Sequence, residues 1–144
     1  MTNQAALNKM HTPGFAELCA HCELRLVVLL DPSAKGQAAP CSDINLAVLL
    51  PAELKGSGGG DHSLASLELM RHFATYLETS GLHLVPLDLA DCVLRFDVAR
   101  AGRPIFEARS GAFGDFCSLA VREHEDSLMR IARLTRDSAA KGGV

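Results

Sequence analysis

Residues 46–50, Leu-Ala-Val-Leu-Leu, are apolar throughout. That is the pattern of a strand covered on both faces, not of one that alternates between core and water. Pro51 follows and cannot donate to a continuing ladder, so the strand ends there. A leucine-rich and β-branched run at 24–30 reads as a strand that precedes it. Such strands need layers packed against them. With 144 residues and 48% hydrophobic content, the chain can build one domain with a real core but not two.

Between the two strands lies a short polar helical turn. Asp31-Pro32-Ser33 is a good helix start, an acidic N-cap with proline in the first turn, and Lys35-Gly36 closes it. After a small loop, Ser42-Asp43-Ile44-Asn45-Leu46 opens the second strand. Asp43 and Asn45 alternate with Ile44, so their side chains share one face.

Elsewhere the elements read clearly. Thr12-Pro13 predicts a short helix with Phe15, Leu18 and Cys19 on one face. The glycine-dense stretch 55–60 predicts a flexible loop, and Leu64, Leu67, Met70, Phe73, Ala74 and Leu77 predict a helix over 63–79, with Gly81 at its exit. A third strand covers 82–87. Asp88 or Asp91 caps a helix over 92–101 that stops at Gly102. Phe116, Leu119, Ala120, Leu128 and Ile131 mark a long last helix, and 138–144 reads as a frayed tail. The order implies a single α/β (α+β) domain over 1–137, a small mixed sheet covered by helices mainly on one side.

A formal net charge of −3 gives no broad cationic surface, which argues against stable nucleic-acid binding through phosphates. No run of about 18 apolar residues would span a membrane, and the first 14 residues hold no continuous apolar stretch, so the cytoplasm is the expected location. The five cysteines, Cys19, Cys22, Cys41, Cys92 and Cys117, are odd in number and scattered, as reduced thiols would be. Cys19-Ala-His-Cys22 has the spacing of a zinc or redox pair, but no second such motif completes four ligands. Small, partly buried hydrophobes are the expectation.

The layout of 29–50 resembles the nucleotidyltransferases of the DNA polymerase β superfamily, especially the minimal nucleotidyltransferase (MNT) group, whose members often serve as antitoxins. In that family a Gly-Ser pair ends the first strand, an Asp-x-Asp pair begins the second, and a third Asp lies on a later strand. Aligned on Gly36 and Ser42-Asp43, the Gly-Ser position falls on Asp31-Pro32, the first Asp on Asp43 and the second on Asn45. The third falls on His83, counting back from 94–107, which fits the family's helix, glycine and aromatic-acidic strand. Arg122-x-His124-x-Asp126 echoes a spacing of Arg, Tyr and Asp in relatives. The likeness spans about 20 to 130.

The resemblance implies a degenerate active site. Its catalytic and metal positions are Asp43, Asn45 and His83, and its phosphate loop is Asp31, Pro32, Ser33, Lys35, Gly36 and Ser42. The family uses magnesium and a nucleoside triphosphate. Replacing a carboxylate by Asn45 forfeits about 4 kcal/mol of attraction per unit of ion charge at an effective dielectric near 20. His83 offers nitrogen, which suits zinc, copper or nickel better than magnesium. Asp31 would occupy the donors that hold phosphate in relatives, and Pro32 has no amide proton to give.

The implied function is partner binding with transfer lost or much reduced. The partner would be an all-helical toxin of the HEPN class, or a second copy of the chain. The alternative is an active metal-dependent transferase that moves a nucleotide to a protein or small-molecule acceptor, with Asp31, Asp61 or Asp88 supplying the missing ligands.

Overall fold

The computed structural model describes residues 3–30, 44–51, 60–79 and 81–142. Its strands are β1 (Leu26–Leu30), β2 (Ile44–Leu49), β3 (Leu82–Pro86) and β4 (Arg103–Glu107), in the order β3-β2-β1-β4. β1 pairs antiparallel with both β2 and β4, and β2 pairs parallel with β3. The apolar run at 46–50 and the leucine-rich run at 24–30 therefore supply the central pair. Pro86 and Pro104 both sit on edge strands, where a missing amide proton is tolerated.

The helices among these residues are α1 (Asn3–Met10), α2 (Pro13–His21), α3 (Gly60–Leu77), α4 (Cys92–Ala101) and α5 (Ala112–Gly142). They cover both faces of the sheet, which corrects the expectation of one-sided cover. On one face Val27, Leu29, Leu46 and Val48 pack with Phe15, Cys19, Phe73 and Leu77 from α2 and α3. On the other, Leu26, Val28 and Ala47 pack with Val98 of α4 and with Phe116 and Ala120 of α5. The second layer is hard to read in sequence because Val98 is the only residue of α4 that is buried.

Several local expectations change. α1 was not foreseen: eight residues with Ala6 and Met10 inward give little periodic signal, yet both are buried against α3 and the sheet. Thr12 stands at the start of α2 without capping it by its side chain; its Oγ1 donates instead to the Lys9 carbonyl (2.6 Å) and bonds the Tyr76 hydroxyl. α3 begins at Gly60, within the stretch read as a loop. Phe73 and Leu77 of the expected face are buried and Met70 and Ala74 pack against the core, joined by Leu69, while Leu67 is 60% exposed. Just past α3, the left-handed residue is Glu78 (φ 54).

Two ends follow sequence chemistry closely. Asp91, not Asp88, caps α4, its Oδ1 accepting from the Leu94 amide at 2.9 Å. Gly102 ends α4 with extended backbone (φ −79, ψ 157), a conformation any residue can adopt. Glycine is needed for space: a Cβ there would lie 2.3 Å from Val28 Cγ1 and 2.6 Å from the Val98 carbonyl oxygen. α5 continues to Gly142, through residues read as a tail. Phe116 and Ala120 are buried as expected, but Leu119 is 44% exposed, and Leu128 and Ile131 are exposed because ten-residue α4 flanks only the first half of α5.

Candidate functional site

The end of the sheet where β1 finishes and β2 and β3 start carries the residues that the resemblance singles out. Asn45, the second residue of β2, is in register with Leu30 at the last position of β1 and with His83 at the second position of β3. Register partners present their side chains on the same face, so Asn45 and His83 stand side by side. The strand alternation places both on the face that Ala47 and Val85 share with α4 and α5. Asn45 is half-buried and His83 exposed. The parallel ladder thus brings His83 beside Asn45, where a slip of one residue would have turned His83 to the other face.

Asp31, Pro32, Ser33, Lys35, Gly36, Ser42 and Asp43 lie outside the described residues. Cys41 and the Asp61 side chain do as well. What remains can be tested against magnesium, a hard cation that takes oxygen ligands and is commonly bound through carboxylates. Asn45 and His83 bring an amide and an imidazole to the strand ends, and no group of three or more His, Cys, Asp or Glu among the described residues could hold a metal. Asn45 and His83 by themselves bring no carboxylate to a pair of magnesium ions.

Asp88 is excluded as a replacement ligand, which corrects one route to an active enzyme. It follows β3, at the opposite end of the sheet, and its side chain is only 4% exposed. Its Oδ1 accepts from Arg25 Nη2 at 2.6 Å and its Oδ2 from the Leu50 amide at 2.7 Å, while Arg25 Nε donates to the Leu50 carbonyl at 2.7 Å. Both carboxylate oxygens are engaged in tying β1, β2 and β3 together.

The Arg25 and Asp88 pair lines a cleft of about 330 Å³ with Arg95, Arg109 and Asp115, none of which the sequence reading had noticed. Arg95 donates to the Leu87 carbonyl at 2.6 Å and lies over the Phe116 ring, and Arg109 pairs with Asp115. These charges are matched within the protein. Arg25 and Asp88 are 63 residues apart and belong to no motif, so only the fold could reveal them.

His124, from the Arg-x-His-x-Asp echo, stacks on Phe96 with ring centroids 4.0 Å apart and planes within 9°. It forms part of the seam between α4 and α5, whereas Arg122 and Asp126 are exposed. Cys19 and Cys22 are free thiols. Burial, with Cys22 nearby, pushes the Cys19 thiol up to about 12, and burial raises Cys22 as well. Raised thiols make poor ligands and nucleophiles, so this pair has the character of core rather than of a redox site.

No protein-family model and no curated relative matches the sequence. Solved structures do. A chain in the crystal structure of a toxin–antitoxin with AMP-PNP is 22% identical, with a TM-score of 0.64 over 91% of this chain and 96% of that one. The fold is nucleotidyltransferase-like. The toxin–antitoxin MntA–HepT gives 22% identity and a TM-score of 0.60, covering 92% of this chain and 97% of that one. A tri-AMPylated Shewanella oneidensis HEPN toxin in complex with its MNT antitoxin gives 21% and 0.60, covering 93% and 98%. The likeness runs nearly end to end on both sides. None of its described helices is long and apolar enough to cross a membrane.

Proposed function

We propose that this chain is an antitoxin-like protein of nucleotidyltransferase fold, with nucleotidyl transfer lost or much reduced, that acts by binding a helical partner of the HEPN class. The observation that carries the reading is the pairing of Asn45 with His83 at the strand ends, where the family alignment expects two carboxylates. The scaffold is kept while this part of the centre lacks the charge that seats magnesium. Solved neighbours over nearly the whole chain are toxin–antitoxin structures, two of them complexes with HepT or a HEPN toxin, and this supports the partner class. Of the family positions, Asp43 alone keeps its carboxylate.

A second reading has a specific observation behind it. One neighbour was crystallised with AMP-PNP and another with a tri-AMPylated toxin, which favours a chain that still transfers a nucleotide. Asp31 and Asp61 remain as the carboxylates available to help Asp43.

Incubation with labelled nucleoside triphosphates and magnesium or manganese, with and without a co-expressed helical partner, separates the two. The binding reading expects no incorporation above background and a complex that survives Asp43→Ala. Metal-dependent labelling abolished by Asp43→Ala would establish the transferase and refute the binding-only reading.

A further inference from the structure

α5 carries one continuous seam at alternating four- and three-residue spacing: Phe113, Cys117, Ala120, His124, Ser127, Ile131, Leu134 and Ser138. Its first half is occupied by α4. Cys117 Sγ donates to the Ala99 carbonyl at 3.6 Å, Glu123 lies 3.6 Å from Arg95, and His124 stacks on Phe96, so the two helices run antiparallel. α4 begins at Cys92, one turn before Phe96, and the seam beyond His124 soon loses its neighbour. From 128 to 138 every residue is exposed, with Leu128 at 54%, Ile131 at 56% and Leu134 at 60%. Val93, a turn before Phe96 on α4, is also open at 57%.

The unpaired half is complementary to itself. If a second α5 lies antiparallel with its midpoint between Ile131 and Leu134, each Ile131 meets the other copy's Leu134 and each Ser127 meets the other Ser138. In that register Arg130, on the flank of the seam, falls opposite Asp137, and the symmetry makes this pairing twice. The small residues at the two ends let the helices approach, and the apolar contacts sit at the centre. The free segment is about 18 Å long at 1.5 Å per residue. An isologous two-fold contact of this kind closes on itself and does not propagate.

We propose that the free half of α5 is a self-association surface, whose occupant is the same segment of a second copy of this chain, antiparallel, with Ile131 against Leu134 and Arg130 against Asp137. This goes beyond partner binding at the level of the whole protein and does not depend on whether transfer is retained.

Sedimentation equilibrium of the full chain, from a few micromolar to about 200 µM, tests it in a range suited to a weak association. A concentration-dependent monomer–dimer equilibrium is expected. Ile131→Asp and Leu134→Asp should each weaken it at least tenfold, while circular dichroism stays unchanged because both side chains already face solvent. Arg130→Asp or Asp137→Arg alone should weaken it about fivefold, and the two together should restore it to within about twofold, since the swapped pair is again complementary. A monomer throughout the range, a dimer indifferent to Ile131→Asp, or a failure of the double swap to restore would each overturn the assignment. So would a different protein occupying this stripe while the chain itself stays monomeric.

Discussion

Asp88→Ala is predicted to destabilise the fold substantially while leaving the candidate site intact. The carboxylate accepts from Arg25 at 2.6 Å and from the Leu50 amide at 2.7 Å, and Leu50 is 2% exposed. Its removal orphans a buried amide, which costs about 1–3 kcal/mol. It also leaves a guanidinium without its counter-charge. Breaking a buried pair costs about 3–5 kcal/mol, but Arg25 is 32% exposed and keeps its bond to the Leu50 carbonyl, so water recovers much of that and about 1 kcal/mol is the fitting share. The sum is about 2–4 kcal/mol, or roughly 6–12 °C in melting temperature for a chain of this size.

Asp88→Asn, which keeps an acceptor for Leu50, should lose about half as much. Arg25→Met, which strands a nearly inaccessible carboxylate, should lose at least as much as Asp88→Ala. Urea unfolding followed by circular dichroism, with m-values unchanged, measures all three. If Asp88→Ala falls within about 0.5 kcal/mol of the parent, the range of an ordinary surface change, then the pair does not hold the strands as described. If instead it selectively abolishes divalent-ion binding, Asp88 belongs to the site after all.

Gly102→Ala should cost about 1–3 kcal/mol in the same urea assay, through overpacking against Val28 and the Val98 carbonyl, although φ −79 suits alanine; a neutral result would show that α4 and β1 can move apart freely. Cys19 should resist iodoacetamide in the native protein at pH 8 and react once unfolded, as peptide mass spectrometry can show, because its thiol stays protonated to about pH 12. The unfolded thiol ionises from about pH 9 and the folded one does not, so the folded state holds the extra proton in that window and stability should fall between pH 9 and 12; a flat profile there refutes the assignment. Asn45→Asp together with His83→Asp should raise magnesium affinity at least tenfold by calorimetry, since the two positions adjoin in the ladder; no gain would mean that charge at these positions is not what limits metal binding.

The central strands and the end of α4 at Gly102 could be read directly from the sequence, because each rests on local chemistry, apolar runs and a residue without a Cβ; the sequence narrows the cap of α4 to Asp88 or Asp91, and β4 is expected only from the resemblance. Sequence order also singled out His83, and the parallel register of β2 and β3 puts it next to Asn45. Other features depended on which element lies against which. Cover on both faces, the outward turn of Leu67, the burial of Asp88 at the far end of the sheet and the bare seam from Leu128 to Leu134 are set by the length and position of α4 and by contacts between residues distant in the chain. Periodicity says that a helix has an apolar side. Only packing decides which part of that side the rest of the molecule covers, because burial is a property of neighbours and not of the residue itself.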